Sequence, residues 1–213
     1  MRLRLALAAL LLWTAPIAAQ SSRARVDVVD IVPANALTHG PGITSTNLLS
    51  DPNTRRLLRE GFPARIHYRL ELWRKGGWFD DLDGRTEWDV LVAYDPTTQL
   101  YNVLRRTSDD AVHEDFGGFR SATSAEEQVS KMYRASLHPN RSGRFYYDLN
   151  VDIETLTVSD LDALQQWYRG TTAPGADGNP LTALRSGVGT LLSRVLGGSK
   201  VHYQRTSGVF AVR

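Results

Sequence analysis

Two stretches of this chain alternate apolar and polar residues one by one. Ile66, Tyr68, Leu70 and Leu72 are interleaved with His67, Arg69, Glu71 and Trp73. Phe145, Tyr147, Leu149, Val151 and Ile153 are interleaved with Tyr146, Asp148, Asn150, Asp152 and Glu154. Side chains of a strand point to opposite faces in turn, so a period of two means a sheet with one face on a core and the other in water. Such one-sided burial belongs to antiparallel sheets.

Other segments fit the same architecture. Residues 24–32 have the β-branched content of a strand that ends at Pro33, and a Gly- and Pro-containing loop follows to Asn47. Ser50-Asp51-Pro52 opens a short helix with Leu57 and Leu58 on its apolar side and Gly61 as its stop. Phe79 to Gly84 reads as an acidic turn. Trp88, Val90, Val92 and Tyr94 then point one way from a strand, and Asp95-Pro96-Thr97-Thr98 turns it into a hairpin over 86–106. Ser124-Ala-Glu-Glu127 is a capping box for a helix running to about residue 137. Residues 159–169 and 181–196 carry helical periodicity, 171–180 is a Gly/Pro/Asp linker, and 201–212 is a last strand. No βαβ rhythm appears. The expected fold is α+β: mainly antiparallel sheet, or a sandwich, with about four helices packed on it.

The first residues point to export. Arg2 and Arg4, a short apolar run to Trp13 and small residues ending at Ala19 are the parts of a secretory signal, with the cut between Ala19 and Gln20. Thr14 and Pro16 make the segment a poor membrane span, which would need about 20 apolar residues, although a retained N-terminal anchor is the other reading. Residues 20–213 then form one globular domain with a flexible loop at 170–180. The chain has 25 Lys and Arg against 23 Asp and Glu, and losing Arg2 and Arg4 leaves 23 of each sign. A neutral body argues against nucleic-acid binding, which draws on a surplus of Lys and Arg. Without cysteine there is no disulfide framework, thiolate metal site or lipidated cysteine.

Leu58-Arg-Glu-Gly61-Phe-Pro63, Tyr68 to Arg74, Gly77-Trp78-Phe79-Asp80, Val92 to Thr98 and Tyr101-Asn-Val103 together resemble the bacterial exported family domain of unknown function 4390. Thr97 stands where that pattern usually has leucine, and the half beyond Phe119 matches loosely. The resemblance covers about a third of the chain. It implies an exported protein of this size and brings no assigned activity, cofactor or catalytic residue.

The residues themselves offer few chemical motifs. Asp80-Asp81-Leu82-Asp83-Gly84 has closely spaced carboxylates, but an EF-hand wants Gly sixth and Glu twelfth, where counting from Asp81 gives Thr86 and Val92. His113-Glu114-Asp115 lacks a second histidine at helical spacing and reads as a polar loop. There is no nucleophile elbow and no H-E-x-x-H. No cofactor or metal is expected. Trp73, Trp78 and Trp88 remain, gathered around one hairpin. They either form an aromatic platform for a sugar, peptide or lipid, or fill the core or shield a sheet edge. The sequence therefore predicts a non-catalytic periplasmic or cell-envelope protein that binds a protein partner. A carrier of a lipid or other hydrophobic ligand is the second reading, and an unrecognised hydrolase the third.

Overall fold

A computed structural model describes residues 23–107, 113–156 and 200–213. The leader with its Ala19–Gln20 cut, the linker and the helices expected at 159–169 and 181–196 lie outside the described residues. The strands are β1 (Arg25–Val29), β2 (Gly42–Thr46), β3 (Ala64–Arg74), β4 (Asp81–Asp95) and β5 (Leu100–Thr107). They continue as β6 (His113–Phe119), β7 (Tyr133–Arg134), β8 (Gly143–Thr155), β9 (Lys200–Thr206) and β10 (Phe210–Val212). Two α-helices, α1 (Pro52–Arg59) and α2 (Ala122–Val129), complete the described residues with one 3-10 turn, so the expected four helices become two there.

All pairings are antiparallel. The large sheet runs β8-β3-β4-β5-β6, and β9 and β10 share the far edge of β8. The small sheet is β1-β2-β7. Alternation places the core: Ala64, Ile66, Tyr68, Leu70 and Leu72 of β3 are buried, as are Phe145, Tyr147, Leu149, Val151 and Ile153 of β8. Val26 and Ile43 of the small sheet, Leu58 of α1 and Ala125 of α2 close over that inner face. The other face of the large sheet carries most of the polar residues, together with a small separate buried cluster of Leu91, Leu104 and Leu156.

Local chemistry explains the helix ends. Asp51 accepts the N–H of Thr54 at 2.8 Å, with Pro52 in the first turn of α1. In α2 the cap is Ser121, which accepts from Ser124 N–H at 3.0 Å, so Ser124 lies inside the helix it was expected to open. The helix also stops at Val129, well short of residue 137, because Tyr133 and Arg134 are needed as strand partners of Ile43 and Gly42. Glu126 is buried and accepts from Leu49 N–H and from the Arg55 guanidinium, both at 3.0 Å, which fastens α2 to the approach of α1. Glu126→Ala is expected to strand the Leu49 N–H and to cost about 2 kcal/mol in urea unfolding.

Four sequence expectations change. The loop before Asn47 contains β2. His113 to Phe119 is the strand β6 and not a loop, held by Arg105 bonding Glu114 at 2.5 Å and stacking over Phe116. The turn lies earlier, at residues 75–80, because Asp81 to Gly84 pair with Leu72 to Arg74 across a bulge. The last strand breaks at Ser207 to Val209, where the chain passes along the edge of β8 from Asp148 to Phe145.

Candidate functional site

Three places on this frame gather chemistry-bearing side chains. The first is a row across the outer face. Asp89 of β4, His67 of β3, Asp152 of β8 and His202 of β9 are successive cross-strand partners. His67 Nδ1 meets Asp89 at 2.9 Å, and His202 Nδ1 meets Asp152 at 2.9 Å. An ionised carboxylate only accepts, so each Nδ1 carries the proton. Arg65 Nε donates to the same Asp89 oxygen at 2.8 Å. Burial pushes the Asp89 carboxyl up, but the His67 hydrogen bond and the Arg65 charge outweigh it and hold the carboxyl below its ordinary range. A histidine bonded through Nδ1 to aspartate is the orienting half of an acid–base pair, and the base would then act through Nε2. In His67 that atom lies 3.8 Å from Glu87, so carboxylates face both ring nitrogens. Among the described residues no group of three or more His, Asp or Glu is placed to hold a metal ion. The row pairs carboxylates with imidazole N–H donors across the sheet, as cross-strand polar pairs do.

The second place is the end of the β3–β4 hairpin with the groove beside it. Asp80 accepts from Lys75 Nζ at 2.9 Å, from Tyr146 Oη at 3.0 Å and from Gly76 N–H at 3.2 Å. Lys75 N–H donates to Arg144 O at 2.8 Å, and the Lys75 ammonium lies 5.5 Å from the Tyr146 ring centroid. A methyl group at Gly76 would stand 1.7 Å from Phe79 O, so only glycine permits this turn. From this anchored loop Trp78 and Phe79 project into solvent, 97% and 84% exposed. The bond from Lys75 chiefly holds the Asp80 carboxyl below its ordinary range. Behind the loop, Trp73 and its cross-strand partner Tyr146 border an open groove of about 460 Å3 with Asp148, Gln204 and Thr206 in it.

The third is a cavity of about 190 Å3 on the inner side, beneath α2 and β7. Trp88, Tyr68, Val90, Phe116 and Tyr133 line it, with the Arg105 guanidinium 4.3 Å from the Tyr133 centroid. Its volume falls below the 300–1,000 Å3 usual for ligand pockets.

The three tryptophans singled out from sequence therefore part company. Trp88 is 3% exposed, stacked on Tyr68 at 4.9 Å and 7° in the core. Trp73 lies half-buried on the opposite face of the sheet, its indole N–H donating to Glu71 at 3.1 Å. Trp78 stands at the loop end. Phe79, which accompanies it, and Tyr146 of the groove belong to the same surface. The odd spacing of Tyr146 from the apolar residues of β8 was the signal for its outward face. No family model, curated protein or solved structure matches this chain.

Proposed function

We propose that this chain is an exported, non-catalytic envelope protein that docks on a protein partner through Trp78 and Phe79. Its membership of the resembled exported family belongs to the same proposal. The observation that carries the docking is the pair of neighbouring aromatic rings left in water on a loop fixed by Asp80. Aromatic residues dominate the energetics of protein interfaces, and a preordered loop reduces the entropy lost on binding. The partner supplies an apolar cleft able to hold an indole and a phenyl ring. The small size of the inner cavity makes a carrier role the weaker reading.

Photo-crosslinking tests this. With Trp78→p-benzoylphenylalanine in the protein in its native cells, one protein adduct is expected in the envelope fraction, and none with the same substitution at Trp88. Phe79→Ser is expected to reduce the adduct by about tenfold, in line with a hot-spot loss of 1.4 kcal/mol or more. Adducts with lipid alone, or a protein that stays in the cytoplasm, would overturn the reading.

Two outcomes follow from the anchoring. Gly76→Ala is expected to abolish the adduct while leaving the urea midpoint of the core unchanged. Because the Asp80 pKa is lowered, the anchoring is complete above the ordinary carboxylate range and is lost as pH falls through the lowered value. Binding of purified partner, followed by calorimetry, should weaken only below about pH 4.

A further inference from the structure

We propose that the groove between Trp73, Tyr146 and the end of β9 binds a neutral saccharide. The groove adjoins the Trp78–Phe79 tip, but neither of those residues lines it, so the proposal would stand if the docking reading failed. Its volume of about 460 Å3 lies within the range of small-molecule sites. Its walls and floor differ in chemistry. Trp73 and Tyr146 are direct cross-strand partners on one face of the sheet. Each ring is fixed by its own polar atom, the indole N–H on Glu71 at 3.1 Å and the phenol on Asp80 at 3.0 Å. They offer rigid apolar area that needs no reordering to receive a flat partner.

The floor is polar and equally fixed. Asp148 accepts from Thr206 Oγ1 at 2.8 Å, from Gln204 Nε2 at 2.9 Å and from Asn150 Nδ2 at 3.0 Å. A carboxylate has about four acceptor sites, so one is left for the ligand, and Gln204 must turn its amide nitrogen to Asp148 and its carbonyl oxygen elsewhere. The groove thus presents acceptors beside an aromatic surface, and the complement is a ring with donor hydroxyls at its edge and C–H groups on its face.

Other ligand classes fit less well. A peptide strand would need the free backbone edge of β8, which is closed here: Ser207 N–H donates to Tyr147 O, and Tyr147 N–H to Ser207 Oγ, both at 2.9 Å. A lipid chain would cover Asp148 without replacing its hydration. A phosphate or acidic sugar would meet the Asp148 carboxylate, while the one ammonium in the groove, Lys75, is already bonded to Asp80 at 2.9 Å.

The test uses the purified protein with N,N′-diacetylchitobiose and maltotriose as neutral probes, and with heparin and laurate as charged and apolar controls. Saturation-transfer NMR is expected to show saturable binding of at least one neutral probe, with Kd on the order of 1 mM. Trp73→Ala is expected to weaken it at least tenfold. Gln204→Ala, at an exposed position that leaves folding intact, should weaken it several-fold, and Trp78→Ser should leave it unchanged. No saturable binding of either neutral probe at 20-fold the expected Kd would overturn the proposal. So would binding confined to heparin or laurate, or binding unaffected by Gln204→Ala.

Discussion

Asp89→Ala is expected to cost about 3 kcal/mol at pH 7, measured by urea unfolding, because it leaves two charged or chargeable partners on the sheet without their shared acceptor. The Asp89 side chain is 5% exposed, Arg65 16% and His67 24%, so water replaces the lost carboxylate poorly. The pH dependence separates this account from simple loss of packing. Burial raises the Asp89 pKa, but the His67 hydrogen bond and the charge and hydrogen bond of Arg65 more than offset it, and the net shift is downward. A lowered pKa gives stability that is complete above the ordinary carboxylate value, about 3.9, and that is lost as pH falls through the folded value. Asp89→Asn should therefore lie well below the wild type at pH 7, and the gap should close as pH is lowered toward 2. A gap of the same size at both pH values would show that the carboxylate charge contributes nothing.

The strands that sequence could reveal were those whose two faces differ. β3 and β8 separate apolar from polar residues without exception over their central residues, and the core follows the same parity. β2 and β6 carry little such contrast. Gly42-Ile-Thr-Ser-Thr46 has one large apolar residue, and His113 to Phe119 contains two glycines and three polar or acidic residues. Their extended form comes from neighbours: β1 on β2, and β5 with its Arg105 on β6. The end of α2 was hidden for the same reason, since it is set by the demand of β2 for Tyr133 and Arg134.

The candidate surface was half legible. Parity alone puts Trp73 with His67, Arg69 and Glu71, and puts Trp88 with Val90 and Val92, on opposite sides of one sheet. Exposure of Trp78 depended on where the hairpin turns. That point is fixed by the bulge at Asp83 and by Asp80 gathering three donors, neither of which has a local sequence signature. The charge row across β4, β3, β8 and β9 needs the registers of three pairings together, which no single strand encodes.

Trp88→Ala is expected to be the most damaging single truncation, at about 4 kcal/mol, whereas Trp78→Ala should change stability by less than about 0.5 kcal/mol. Trp88 is 3% exposed and lies between Tyr68, at 4.9 Å, and Tyr133, at 4.8 Å. It also borders the existing cavity of about 190 Å3, so deleting the indole enlarges a void that the surrounding rings already fail to fill. Tyr68 is held by the Ser45 hydroxyl at 3.3 Å and Tyr133 by the Arg105 guanidinium, which limits inward collapse. A void lined chiefly by aromatic and aliphatic groups accepts an apolar guest. Free indole is therefore expected to raise the thermal midpoint of Trp88→Ala in a saturable way and to leave the wild type unmoved. If indole moved neither protein, or the two truncations cost the same, Trp88 would not carry the packing between Tyr68 and Tyr133.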